Sequence, residues 1–403
     1  MRVAFLSIHG YVDPVPNLGL VDTGGQVVYV LEMAKHLARL GVHVDIYTRR
    51  FGDRSELESV CPGVRIIRIP CGPEYFVPKE KLYPYLGEFA ENMVRYISEH
   101  DESYDIIHTH YWDAGYVGLI IKDELGVPMA HTSHSLGMAK RVFLGELANK
   151  ADYGFGVRIR VEKDILLNAD TLVSASPLEP ELVEKYYGVK RHMYVVPAGV
   201  DTEFFSPEAG ERDLMLPDDY VFTTGRMEWT KGFDLLVAAF GSIAREFKDL
   251  MLLIGGGSER PTKIEMEVRA TLRRMAKEHN VEERVIQTGR ISNEDLPTYY
   301  ARARIVVLPS RYDLYGIVAL EGLSCGRPVV VSKYAGVSRL IPEDCGLVAD
   351  PYDSKDLGEK ISTLLRDQET AAEMGMAGRK FVEKNLTWDR LARRLLEVYR
   401  SIT

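Results

Sequence analysis

Cysteine is scarce in this sequence, with four in 403 residues (Cys61, Cys71, Cys325, Cys345) and neither a CxxC pair nor a dense framework. A chain of this length needs no disulfide staples, so free thiols in a reducing compartment are expected. Positive charge is also in short supply. The formal net charge of −9 argues against a primary nucleic-acid partner, which would need excess Lys and Arg to neutralise phosphates, and against a polybasic membrane surface. No run of 18 apolar residues occurs, and the opening MRVAFLSIHG has no small-residue cleavage site; a soluble cytoplasmic protein without stable membrane association is expected. Gly-x-Gly-x-x-Gly is missing after the first strand-like run, and the glycines of LIGGGSE (253–259) have the wrong spacing, which leaves a nicotinamide enzyme as a weak runner-up.

What is present describes an ordinary globular chain: 46% hydrophobic residues, 27% charged residues and 34 glycines. The length exceeds that at which single cores stop growing, so two to three domains are expected. RVAFLSI (2–8) is a β-branched-rich run, and QVVYVLEMAKHLARLG (26–41) follows it with apolar residues at helical spacing and a closing glycine. The alternation continues through 42–48, 64–69, 104–110, 127–133, 170–176 and 192–197. Short, near-continuously apolar strands between helices predict a parallel sheet covered on both faces.

The period breaks at 198–219, a polar stretch bearing Pro and Gly that reads as a linker. A second strand-helix series follows, with strands at 220–225, 250–256, 284–289, 304–310 and 328–332. The expected fold is α/β: two doubly wound Rossmann-like domains, 1–200 and 201–386, facing a cleft, with a last helix at 387–403 that fits on either. Ligands of such sheets bind outside the carboxyl ends of the strands, at the switch point of strand order. The chemistry is therefore sought in the loops after the strands.

DTGGQ (22–26) opens the first helix, where free backbone N–H groups favour an anion and Gly24 and Gly25 permit close approach. A Gly pair there is equally consistent with a plain tight turn. THYWDAG (109–115) and TSHSLGMAKR (132–141) each follow an apolar strand and carry His110, Tyr111, His134, Ser135 and Lys140. A lone His at a strand end is more often structural, but this cluster has the groups that hold hydroxyls and a phosphate. GRMEWTKG (225–232) places Arg226 and Lys231 in one loop beside a helix start, suited to a diphosphate rather than to solvent. In RYDLYGIVALEG (311–322) the helix after Tyr315 begins with Gly316, Ile317 and Val318, whose N–H groups the helix leaves unsatisfied. Asp313 lies outside that end and Glu321 inside it. Their spacing is not the three of a capping box, and Glu321 would satisfy a ribose diol.

Taken in order, DTGGQVVYVLEMA, YTRRF, IPCG, VPKE, HYWDAG and HSLG resemble the retaining nucleotide-sugar glycosyltransferases of family 4, with the two-domain GT-B fold, and within it the sucrose-phosphate synthase and mannosylfructose-phosphate synthase branch. The resemblance runs the whole length. It implies that Arg226 and Lys231 hold a donor diphosphate and that Glu321 binds its ribose. It further implies that Asp313 stands where relatives have a Glu touching the transferred hexose, since this chain reads Asp-Leu-Tyr-Gly in place of Glu-Pro-Phe-Gly. On the acceptor side, Gly25, Gln26, Lys79, Tyr111, Ser135, Lys140 and Arg158 match positions that hold fructose 6-phosphate, three cations converging on one phosphate. His134 is expected near the transferred sugar, and closure of the domains to exclude water.

The implied reaction is hexose transfer, with retention, from UDP-glucose or GDP-mannose to a sugar phosphate, with no protein nucleophile. No Asp-x-Asp of the metal-dependent type is present, so neither an essential metal nor another cofactor is expected. The competing readings are a different small or lipid-linked acceptor, and a non-catalytic nucleotide-sugar sensor. Oligomeric state has no signature in the sequence.

Overall fold

The structure is a computed structural model that describes residues 1–15, 22 and 24–403. The first strand-helix series comprises β1 (Arg2–Leu6), α1 (Gly25–Arg39), β2 (His43–Arg50), β3 (Leu57–Cys61), β4 (Val64–Pro70), α2 (Leu86–Glu99), β5 (Ile106–His110), α3 (Trp112–Leu125), β6 (Met129–Thr132), α4 (Gly137–Leu144), α5 (Phe155–Asn168), β7 (Thr171–Ser174), α6 (Leu178–Tyr187) and β8 (Met193–Val195). The second comprises β9 (Tyr220–Thr224), α7 (Phe233–Ile243), β10 (Met251–Gly255), α8 (Lys263–Glu278), β11 (Val285–Gly289), α9 (Leu296–Arg302), β12 (Ile305–Leu308), α10 (Ile317–Ser324), β13 (Val329–Ser332), β14 (Gly346–Ala349), α11 (Ser354–Arg366) and α12 (Gln368–Asn385), and the chain ends in α13 (Trp388–Arg400).

Two compact units result. The first is Met1–Arg141, Asp152–Pro197 and Trp388–Thr403; the second is Val142–Ala151 and Ala198–Thr387. The sequence reading of 1–200 and 201–386 needs two corrections. Residues 198–200 and 387 go to the second unit, where Val200 and Thr387 form a parallel bridge. So does Val142–Ala151, because its own contacts are there. Phe143 stacks on Tyr312 with centroids 5.8 Å apart, the Tyr352 hydroxyl donates to its carbonyl at 2.6 Å, and Lys150 pairs with Glu267 over the Trp229 ring. Those partners are distant in sequence, so no local pattern announces them. The last helix belongs to the first unit: α13 buries Leu391, Leu395 and Tyr399 and packs on α1.

In the first unit the strand order is β3-β4-β2-β1-β5-β6-β7-β8, and in the second β11-β10-β9-β12-β13-β14. β1, β5, β6, β7, β12 and β13 are buried along all or nearly all their length, as parallel strands covered on both faces must be. One departure is β3, which pairs antiparallel with β4 and is largely uncovered, so its sequence lacks the apolar run that marks its neighbours. The order reverses between β1 and β5 in one sheet and between β9 and β12 in the other. Those reversals splay the following loops apart and leave room for a ligand.

The helix that matters most is α10. Its one side packs into a cluster containing Phe222, Tyr300, Val306, Leu320 and Leu323, each worth about 1.5–3 kcal/mol when fully buried. It starts from Gly316, whose φ of 84° is left-handed and whose added Cβ would lie 2.4 Å from Val337 Cγ1. Glycine is needed there on both counts. No helix among the described residues is long and apolar enough to cross a membrane, and all four cysteines are free.

Candidate functional site

In the first unit the loops after β1, β5 and β6 carry a dense polar cluster. Tyr111 takes φ 80° and donates its N–H to Thr132 O at 2.9 Å, which turns the chain sharply out of β5. Its ring lies 4.7 Å from that of His9, and His9 Nδ1 is 2.7 Å from Asp113 Oδ2. His134, also at positive φ (55°), stands with Nε2 2.9 Å from His110 Nδ1. Burial drives the pKa of both imidazoles well below the usual value, so the pair is neutral.

Arg158 is the anchor of this cluster. Nε donates to Glu162 Oε1 at 2.6 Å, Nη2 donates to Ser135 O and Oγ at 2.9 and 3.1 Å, and its guanidinium sits 4.8 Å from the Tyr111 ring centre. Glu162 also accepts the Gly137 N–H, at 3.0 and 2.8 Å to its two oxygens, and the Tyr187 hydroxyl. Burial pushes the Tyr111 phenol up to about 12 even though Arg158 and Lys79 pull it down, which places both cations near that ring. Lys79 Nζ pairs with Asp22 and, at 3.2 Å, with Glu80. The Lys140 ammonium lies 4.3 Å over the Tyr153 ring. Gln26 Nε2 donates to Ser7 Oγ at 3.2 Å and His110 O at 3.4 Å, which ties the start of α1, with Gly24 as its N-cap and Gly25 as its first residue, to the ends of β1 and β5. Thr23 of the DTGGQ stretch lies outside the described residues.

The structure thus brings Tyr111, Ser135, Arg158 and Lys79 into one neighbourhood. Each cation of the expected trio has a protein partner of its own: Asp22 for Lys79, Glu162 for Arg158 and the Tyr153 ring for Lys140. Glu162 was missed in sequence, although its place four residues after Arg158 on a helix is the spacing of an ion pair. Asp22 and the His9–Asp113 pair left no such local signal.

In the second unit the loops after β9 and β12 meet. Arg311 donates to both oxygens of Asp234 at 2.7 and 2.5 Å and to Trp229 O at 2.9 Å, binding one loop to the other. Held by this clasp, Lys231 Nζ lies 2.7 Å from Asp313 Oδ2. Asp313 Oδ1 accepts the N–H groups of Tyr315 and Gly316, each at 3.0 Å. The two carboxylates do not form a capping box, as their spacing predicted: Asp313 bonds the loop before α10 and Glu321 bonds Tyr300. The Asp313 carboxylate folds the loop just before α10 in the manner of an Asx turn, and the Gly316 N–H, expected to be free for a ligand, is already taken. Burial alone would raise the Asp313 pKa, but the Lys231 charge and these N–H donors hold it below the usual carboxylate range. Ile317 and Val318 follow in the first turn of α10.

Arg226, about half exposed, pairs with Glu228 at 2.8 Å. Glu321 sits one turn into α10 and accepts the Tyr300 hydroxyl at 2.5 Å, and burial pushes its carboxyl up to about 7. The arrangement offers two cations, a helix start and a partly buried carboxylate at one switch point, a set suited to a diphosphate attached to a diol-bearing sugar.

Comparison with known proteins agrees with this fold. A family model described as Glycosyltransferase Family 4 matches residues 23–204, and one described as Glycosyl transferases group 1 matches residues 211–381. The chain is 36% identical to mannosylfructose-phosphate synthase of Agrobacterium fabrum, over 100% of this chain and 92% of that protein. It is 31% identical to D-inositol 3-phosphate glycosyltransferase of Xylanimonas cellulosilytica, over 100% and 97%. Among solved structures, sucrose-phosphate synthase from Thermosynechococcus elongatus superimposes with a TM-score of 0.88 at 32% identity, covering 99% of this chain and 98% of that one. The chain belongs to glycosyltransferase family 4 and has the GT-B fold. It is an enzyme of sugar transfer, related to the mannosylfructose-phosphate and sucrose-phosphate synthases.

Proposed function

We propose that this enzyme transfers a hexose, with retention at the anomeric carbon, from a nucleotide diphosphate sugar (UDP-glucose or GDP-mannose) to a sugar phosphate, fructose 6-phosphate being the first candidate. The observation that carries the reading is the Lys231–Asp313 pair at the start of α10, at the switch point of the second sheet. A diphosphate entering there gives Lys231 a second anionic partner and meets Arg226 and the N–H groups of Ile317 and Val318. These groups stabilise the leaving diphosphate as its charge develops. Glu321 accepts the ribose hydroxyls, and Asp313 faces the hexose with a carboxylate one methylene shorter than the family's Glu. The neutral His134 orients sugar hydroxyls without adding charge.

Tyr111, Ser135 and Arg158, with Lys79, Lys140, Gln26 and Gly25, form the acceptor side. The departing phosphate takes the acceptor's proton on the same face of the sugar, so no protein nucleophile is required. The reading includes no essential metal: turnover is expected to survive millimolar-range EDTA, and a loss restored by added Mg²⁺ contradicts it.

The deciding experiment is nucleoside diphosphate release from a panel of UDP-, ADP- and GDP-sugars, with and without fructose 6-phosphate. Release from one donor only when the sugar phosphate is present supports both halves of the proposal. The likeness to D-inositol 3-phosphate glycosyltransferases favours one second reading, an inositol phosphate acceptor. Release with inositol phosphate but not with fructose 6-phosphate selects it.

A further inference from the structure

At the amino ends of β12 and β13, the edge of the second sheet opposite the Lys231 and Asp313 loops, the structure holds a groove of about 410 Å³. Arg304 and Arg327 stand just before those two strands, and Leu364 of α11 with Gln368, Ala371 and Met376 of α12 form the other wall. The lining contains two guanidinium groups and no carboxylate, in a chain with 59 acidic against 50 basic residues. Arg304 is partly neutralised by Asp219, 3.0 Å away. Arg327 is not.

Among the described residues the Arg327 side chain makes no ion pair, and its Nε is buried without a hydrogen-bond partner. Burial lowers its pKa from the usual value. A partly buried cation without a counter-charge is disfavoured, and a hydrophobic residue at the same place would avoid that cost. The apolar wall and a guanidinium whose Nε has no partner together describe a receptor for an anion with an apolar body.

We propose that this groove is a second ligand site, for a small organic anion whose phosphate or carboxylate pairs with Arg327 and whose apolar part rests on Leu364, Ala371 and Met376. The site is separate from the sugar-transfer loops: it adjoins the last turn of α10, whose first turn adjoins Asp313. It stands whether or not the proposed donor and acceptor are correct.

The test is isothermal titration of the full chain with phenyl phosphate and, separately, benzoate, in a background carrying both Lys231→Ala and Lys140→Ala, which disables the proposed donor and acceptor anion sites. One equivalent of either probe is expected to bind saturably, and the stronger of the two identifies the anion class. Arg327→Leu is expected to weaken binding by about tenfold or more, the worth of a charge-assisted hydrogen bond, and to melt no lower than its parent because an unpaired, partly buried charge has gone. Gln368→Glu, which places a carboxylate in the lining at a helix start that tolerates it, is expected to weaken binding as well and serves if Arg327→Leu does not fold. Unchanged affinity in the folded variants, or no saturable uptake of either probe, overturns the proposal. In the chain that keeps Lys231 and Lys140, Arg327→Leu leaves nucleoside diphosphate release in the absence of probe unchanged.

Discussion

Glu179 and Glu321 illustrate how one residue type acquires different work from its surroundings. Glu179 is fully buried, its Oε2 accepts the Ala175 N–H at 2.8 Å, and burial pushes its carboxyl from 4.5 up to about 7. Between those values the native state holds a proton that the unfolded chain has lost, so Glu179 makes stability fall as pH rises through that window. Glu179→Gln removes the slope. The variant is expected to gain stability over wild type as pH rises from about 5 to about 8, by an amount on the order of 3 kcal/mol at most. A constant difference in calorimetry contradicts this. Glu321 titrates in the same range, and only its ionised form can accept both ribose hydroxyls. Donor KM is therefore expected to rise as pH falls below about 7, and Glu321→Gln to abolish that dependence. Lys231→Ala is expected to cut donor turnover on the order of a hundredfold or more with circular dichroism unchanged; near-wild-type turnover removes Lys231 from the site. At this scale the sequence was informative where spacing is local, as for Arg226 and Lys231 in one loop. The Lys231–Asp313 pair spans 82 positions and became visible only through the order of the strands.

Among the elements, α10 runs between the two ends of the second sheet, and its start depends on the glycine at 316. Gly316→Ala forces a side chain into a left-handed backbone and against Val337, at a cost of about 1–3 kcal/mol before any clash. It is expected to lower the melting temperature and to raise donor KM, and an unaltered KM separates α10 geometry from donor binding. Most strands were legible because short β-branched runs such as VVVS and IVVL have nowhere to go but a sheet buried on both sides. β3 was not, since LESVC is exposed on one edge and carries no such run, and β14, GLVA, has one β-branched residue and is only half covered. The strongly one-sided α13 announced that something covers it. Its own residues do not name α1 as the cover.

For the whole molecule, the consequence lies in how the chain is divided. Tyr399 Oη is 2.5 Å from His108 Nδ1, and Trp388 packs edge-on to Tyr29, so the last helix completes a core that begins at the first strand. Residues 1–200 expressed alone are expected to be insoluble or loosely packed, with dye-binding apolar surface. The same segment with 388–403 appended through a flexible linker, and with 142–151 replaced by a short polar turn, is expected to give dispersed amide resonances. A well-ordered 1–200 fragment contradicts the assignment of α13. The match of both family models and of a full-length structure explains why the overall class could be recognised from scattered motifs, whereas the boundaries at 142–151 and 388 depend on contacts that no motif contains. During synthesis the ribosome releases the first unit's strands early, but its closing helix only after the whole second unit. The second unit therefore has its whole sequence available sooner, and the amino-terminal core waits, incomplete and in need of protection, until α13 has emerged.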